Sequence, residues 1–225
     1  MTERWDWEYA VDIFPALLEG LYVLVRATLA GIVVAVILGL FLALGRRSQR
    51  RWISYPFAWF IEFVRSTPLL IQLFFIYYAL PTMDIFGTRL VFDAELTLIA
   101  GLGVHYGCYA SEAYRAGIDS VATGQWEAST ALNLRTYTKW RNIILPQAVP
   151  RTLPTLGNYF VAMFKDAPLG AIITVPGMLA EARALASATL RQVEPYTIVG
   201  LLFLAVSIPA ALMVRRLERR VHYEA

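Results

Sequence analysis

Glu62, Arg65 and Gln72 stand in one long apolar run, and Lys165 and Asp166 stand in another. Inside a bilayer a charged side chain costs on the order of 2.5–3.5 kcal/mol on insertion scales, so such groups need a partner, a wet cavity or a task. The charges come in neutral sets: Glu62 with Arg65, Glu112 with Arg115, and Lys165 beside Asp166. The first two sets are spaced i to i+3, which lets them pair on one helix face. Opposite charges in a low-dielectric setting suit the reversible binding of a zwitterion. Pro68 adds to this by removing a backbone donor and freeing a carbonyl, while Ser66 and Thr67 supply hydroxyls beside the opened backbone. Broken helices of this kind build solute sites, so Glu62 to Gln72 reads as pathway lining; the competing reading is a plain proline kink. Glu112 and Arg115 read instead as a structural or snorkelling pair.

Composition dictates what holds these residues. The chain has 225 residues, 58% of them hydrophobic and 16% charged, with mean hydropathy +0.53. This predicts an all-helical, polytopic membrane bundle in a single domain, residues 1–225. The clearest span is Gly20 to Leu44, broken only by Arg26. Its helix would be roughly 37 Å long against a hydrocarbon core of about 30 Å. Four more spans are expected: Ile53 to Leu80, Leu96 to Gly117, Leu153 to Thr174 and Tyr196 to Val214.

The segment before span one carries Glu3, Asp6, Glu8, Asp12 and Glu19 and lacks a basic leader, so it reads as uncleaved. Arg46, Arg47, Arg50 and Arg51 follow span one, Arg135, Lys139, Arg141 and Arg151 follow span three, and Arg215, Arg216, Arg219 and Arg220 follow span five. The positive-inside rule therefore predicts the N-terminus outside, the C-terminus inside and loop 118–152 in the cytoplasm. Glu62 and Lys165 then fall near mid-membrane, about ten and about twelve residues from their cytoplasmic ends. The net charge of +3 mostly expresses this asymmetry and gives no reason to invoke nucleic acid.

Other chemistries find little support. Cys108 is the lone cysteine, and His105 and His222 have no evident metal partners, so a packed imidazole and a small buried thiol are expected. No cofactor is called for, and no phosphate-binding Gly-x-x-x-x-Gly-Lys loop occurs. Neither a His-Glu-x-x-His nor a Gly-x-Ser-x-Gly pattern is present, which leaves an intramembrane enzyme without machinery. Gly103 and Gly107 make a Gly-x-x-x-Gly step for close helix packing, within the chain or between copies.

Loop 118–152 is polar between two apolar spans. Thr123 reads as an N-cap, Gln125 and Glu127 as first-turn residues, and Asn133 as a left-handed terminator. The result is a helix of about two turns, too short to stand alone in water. Thr136 reads as the cap of a second short helix through Trp140 to Ile144. The first helix is either a tie between spans or a docking element for a cytoplasmic motor.

Glu127-Ala128-Ser129, Asn133 and Ile144-Leu145-Pro146 resemble the Glu-Ala-Ala … Gly … Ile-x-Leu-Pro signature of permeases from binding-protein-dependent ATP-binding-cassette importers. Ser129 and Asn133 depart from that pattern with small or turn-competent residues. Arg65-Ser-Thr-Pro-Leu-Leu-Ile-Gln72, Ala110-Ser-Glu-Ala-Tyr-Arg-Ala-Gly117, Gly124-Gln-Trp-Glu127 and Lys165-Asp166 resemble more narrowly the polar amino acid branch, typified by histidine and glutamine permeases. The resemblance implies a non-catalytic subunit in the bacterial cytoplasmic (inner) membrane. It implies a cytoplasmic ATPase dimer, a second identical or related permease subunit, an extracytoplasmic binding protein and a small polar or zwitterionic solute, with amino acids foremost. Gln125, Trp126, Glu127, Ala128, Ser129, Leu132 and Asn133 would contact the ATPase, and Glu62, Arg65, Ser66, Thr67, Gln72, Lys165 and Asp166 would line the pathway. Ala167 and Pro168 replace two hydroxyls of the family's Lys-Asp/Asn-Thr-Ser-Leu stretch. With Glu194-Pro195-Tyr196 they give a secondary resemblance to ectoine and hydroxyectoine permeases. An ATP-independent channel is the remaining alternative, though it leaves the docking loop without a purpose.

Overall fold

The computed structural model describes residues 5–84 and 88–223, so Glu3 and the side chains of Arg220 and His222 lie outside the described residues. Helix α1, Trp7–Arg46, runs 40 residues because nothing in its apolar sequence breaks it after Pro15. The Asp6 carboxylate caps it by accepting the amides of Glu8 and Tyr9. It therefore begins well before the expected Gly20. Helix α2, Arg51–Arg65, stops at Ser66-Thr67-Pro68, and α3, Leu69–Phe74, leaves at 101°. Span two is thus a broken helix rather than a kinked one, since Pro68 contributes no N–H and disfavours helical backbone at Thr67. A π-helical turn, Phe75–Ala79, and a 3₁₀ turn, Leu80–Thr82, extend α3.

Helix α4, Ala94–Asp119, is capped by the Asp93 carboxylate and occupies the centre of the bundle. Its 26 residues make roughly 39 Å, enough to cross. Its polar side chains are tolerated because protein, not lipid, surrounds much of it. Helices α5, Thr123–Ala131, and α6, Thr136–Lys139, form the loop region. A π-helical turn, Trp140–Ile144, then leads directly into α7, Leu145–Asp166, so span four starts earlier than the expected Leu153. After a 3₁₀ segment, Ala167–Ile173, the chain forms α8, Met178–Thr189, where a loop was expected. Helix α9, Val193–Tyr223, completes the chain. Among the described residues there is no β-strand. Helix α1 and the Val193–Arg216 part of α9 are each long and apolar enough to cross a membrane, and the bent pairs α2 with α3 and α6–α7 with α8 qualify together.

Helices α1 and α4 make the most extensive contact, and small residues allow it. A Cβ on Gly103 would lie 2.5 Å from the Val34 side chain, and one on Gly39 would lie 2.8 Å from the Gly107 carbonyl. The Gly-x-x-x-Gly step therefore packs within the chain. Gly39→Val should overpack this contact at a cost of about 1–3 kcal/mol. We expect a lower melting temperature in detergent, while Gly124→Ala, at a site open on all sides, leaves it unchanged. Equal melting temperatures for the two variants would contradict this packing.

Two ion-pair groups fasten the N-terminal half of α1. Arg26, for which the sequence offered no partner, grips Glu95 at the start of α4 through two hydrogen bonds of 2.9 and 2.5 Å. At the N-terminal end Glu194 is 1% exposed and accepts the Asp6 amide at 3.0 Å, while Arg191 donates to the Asp6 carboxylate at 2.6 Å. Hydrogen bonding from Arg191 holds the Asp6 carboxyl below its ordinary range. The Glu194-Pro195-Tyr196 segment is thus a structural tie, which removes one reason for the ectoine expectation.

Candidate functional site

Two neighbouring residues of α4 reach the two helix interruptions. His105 approaches the break in span two: its Nδ1 lies 3.2 Å from Gln72 Oε1. Gln72 in turn donates to the Val64 carbonyl at 2.8 Å, the Thr67 carbonyl at 3.0 Å and Thr67 Oγ1 at 2.8 Å. These bonds satisfy backbone groups that the proline break would otherwise leave bare. Because the amide nitrogen is fully engaged as a donor, Oε1 is left to accept, which assigns the proton to His105 Nδ1. Tyr106 reaches the other interruption, where its hydroxyl donates to Asp166 Oδ2 at 2.6 Å. One turn further, the Tyr109 ring carries the Arg65 guanidinium at 5.1 Å and meets the Tyr159 ring edge-on at 5.6 Å.

The two broken spans are also joined directly. Tyr77 shares a hydrogen bond of 2.9 Å with Thr174, and the Tyr78 hydroxyl donates to the Ile172 carbonyl at 2.9 Å. Thr174 has φ 67°, a left-handed conformation that a β-branched residue adopts only under constraint. The arrangement brings a guanidinium, a carboxylate, an imidazole and a set of phenol rings onto one hub, with no metal cluster among the described residues.

Several expected contacts are absent. Glu62 does not converge with the others: its side chain is 69% exposed and it meets Arg65 only at 3.8 Å. Ser66 is exposed as well. Lys165 does not pair with Asp166, because consecutive residues on a helix face different directions; Lys165 is exposed and Asp166 turns to Tyr106. Gln72 and Thr67 are spent on the break itself. Residue-by-residue reading overlooked Tyr106, Tyr109 and Tyr159, although three ring-bearing polar residues at 105, 106 and 109 of a glycine-rich span were a visible signal.

Glu112 and Arg115 pair at 2.8 Å as expected, but in a larger group. Arg46 also bonds Glu112, Arg47 bonds Asp119, and Arg115 reaches Asp119 at 3.1 Å. This binds the C-terminal ends of α1 and α4.

The candidate docking element is α5. Its helix starts at Thr123 itself, with Ala122 in the cap position and no side-chain cap; α6 likewise starts at Thr136, after Arg135. Both expected caps are therefore off by one residue, and Glu127 lies in the second turn, beyond the strongest part of the helix dipole. Asn133 does adopt the left-handed conformation, φ 51°. Ser129 is buried against the Trp126 carbonyl, and Trp126 meets Trp140 edge-on at 5.4 Å above Ile118, Val121, Ile144 and Ala148. These contacts anchor one side of a helix too short to persist alone. Gln125, Ala128 and Leu132, spaced i, i+3 and i+7, form an exposed stripe with Glu127 exposed beside it. Leu132 is 71% exposed.

Comparisons agree with this geometry. Residues 35–223 match the family described as "Binding-protein-dependent transport system inner membrane component". A probable amino-acid ABC transporter permease of Sinorhizobium fredii (strain NBRC 101917 / NGR234) is 41% identical, covering 95% of this chain and 90% of that protein. The glutamine transport system permease protein GlnP of Escherichia coli (strain K12) is 31% identical, covering 97% and 98%. The crystal structure of an amino acid ABC transporter with histidines superposes with a TM-score of 0.88 at 31% identity, covering 97% of this chain and 100% of that one. The named relatives lend no support to ectoine as cargo. The interrupted spans, the anchored loop helix and these likenesses lead to one assignment: the chain belongs to the binding-protein-dependent inner membrane component family, as a permease subunit of an ABC importer.

Proposed function

We propose that this permease moves amino acids across a bacterial cytoplasmic membrane, as one of two identical or related permease halves. The carrying observation is the α4 hub, where Arg65 and Asp166 offer opposite charges among tyrosine rings at the two helix interruptions. A free amino acid has a carboxylate for the guanidinium and an ammonium for the carboxylate and the ring faces. The relatives named for glutamine and cystine carry cargo with those two groups. The exposed aromatic face of α2, with Trp52, Tyr55, Trp59 and Phe63, supports a second half or lipid beside it. An ATPase pair would seat α5, and an extracytoplasmic binding protein would deliver the solute. The chain's own chemistry is binding and release, and its orientation is N-terminus outside.

Thiol labelling checks that orientation. In a Cys108→Ser background, Ser48→Cys, Thr138→Cys and His222→Cys should react only from the cytoplasmic side, and Leu90→Cys only from the other. Reversal at 90 or 138 would reject the topology.

A further inference from the structure

We propose that a polar cavity at the cytoplasmic mouth of α4 and α7 is a second station for the transported zwitterion, occupied between the mid-membrane hub and release. This rests on the amino-acid reading above. The cavity measures about 320 Å³ and is lined by Glu112, Arg115 and Ser120 on one side and by Arg151, Thr155 and Tyr159 on the other. That is the low end of the range of about 300–1,000 Å³ for small-molecule sites, suited to an amino acid.

Tyr159 belongs to both places. It forms a wall of this cavity, and its ring meets Tyr109, which carries Arg65. A run of ring contacts therefore links Tyr106, which donates to Asp166, through Tyr109 and Tyr159 to the cavity.

The charge balance of the cavity points to its ligand. Arg46, Arg47 and Arg115 share the two carboxylates of Glu112 and Asp119. Arg151 adds a fourth guanidinium, and among the described residues no carboxylate pairs with it. Its Nη1 donates to the Ser120 carbonyl at 2.6 Å and to Ser120 Oγ at 3.3 Å. The other donors of its planar fork are unspent and match a carboxylate in bidentate fashion. Glu112 is already held by Arg46 and Arg115, so the cavity favours the carboxylate end of the solute, and Thr155 and Tyr159 complete a polar wall for its ammonium. Solute accumulated in the cytoplasm should refill this station and slow further import.

The test uses the whole complex in right-side-out proteoliposomes, with ATP inside and the binding protein outside. The probe is whichever of the twenty protein amino acids, radiolabelled, enters empty vesicles. Initial uptake is measured against graded unlabelled solute preloaded inside, and each rate is normalised to that variant's own empty-vesicle rate. Arg151→Gln keeps an amide donor for the Ser120 carbonyl but removes the charge. It should raise the half-inhibiting internal concentration at least about tenfold, and Arg151→Lys should recover most of that shift. Thr155→Val, which leaves the Ser120 tie intact, should raise it by about threefold and serves if Arg151→Gln does not assemble. Superimposable inhibition curves, or a wild type that internal solute does not inhibit, overturn the station. Failure of every amino acid to enter empty vesicles overturns the amino-acid reading instead.

Discussion

Asp166→Asn lowers uptake on the order of 100-fold while the permease still assembles with its ATPase. Asp166 holds the Tyr106 hydroxyl at 2.6 Å and sits where α7 gives way to a 3₁₀ segment. The asparagine side chain is nearly isosteric and still accepts that hydrogen bond, so the fold around Tyr106 survives. What disappears is the negative charge beside Tyr106, which leaves a solute ammonium without its counter-charge. Losing one member of a desolvated charge pair costs about 2–5 kcal/mol, which sets the expected magnitude. Glu62→Gln is the informative contrast, because an exposed carboxylate 3.8 Å from its partner contributes little. Its uptake should stay within about twofold of wild type. Proteoliposome uptake measured together with co-purification of the ATPase decides the matter: normal transport by Asp166→Asn would remove that residue from the pathway.

Leu132→Asp should detach the ATPase and abolish import. Leu132 is 71% exposed at the end of α5, whereas Trp126 and Ser129 hold that helix to the protein. Seating a leucine side chain in a partner's pocket stabilises the contact by about 1.5–3 kcal/mol, and an aspartate there adds the cost of an unpaired charge. The combined loss predicts at least about 100-fold weaker association, read by co-purification or by titrating ATPase into permease nanodiscs. Glu127→Lys should weaken it less, by about tenfold, because this exposed carboxylate acts through a partner cation alone. Undiminished ATPase association in Leu132→Asp would mean that the motor docks elsewhere.

The sequence carried the apolar spans legibly, because a run such as Gly20 to Leu44 has few alternatives in water or lipid. It concealed elements whose formation depends on neighbours. Helix α8 contains Glu181, Arg183 and small residues that read as loop; its helix is stabilised by Met178 and Ala182, buried beneath α1 and α9. Pro68 announced an interruption but not its 101° angle, at which Gln72, itself met by His105, caps the opened backbone. Of the residues that meet at the candidate hub, Arg65, Gln72 and Asp166 stand out in the sequence because they are charges and an amide in apolar surroundings. Tyr106, Tyr109 and Tyr159 were not, since an aromatic residue in a membrane span is usually packing. Glu62 and Lys165 stood out equally, yet they lie outside the hub, because charge alone does not say which way a helix faces.

Coupling of solute movement to a separate ATPase, through one continuous arrangement of hub and docking helix, is open to direct measurement. It is tested most directly by measuring amino acid uptake and ATP hydrolysis together in proteoliposomes that contain the permease, the ATPase and the binding protein. Accumulation against a gradient should need all three components, with ATP hydrolysis rising when the loaded binding protein is added. Uptake that stops at equal concentrations and persists without ATPase would contradict it, for that is the behaviour of a channel.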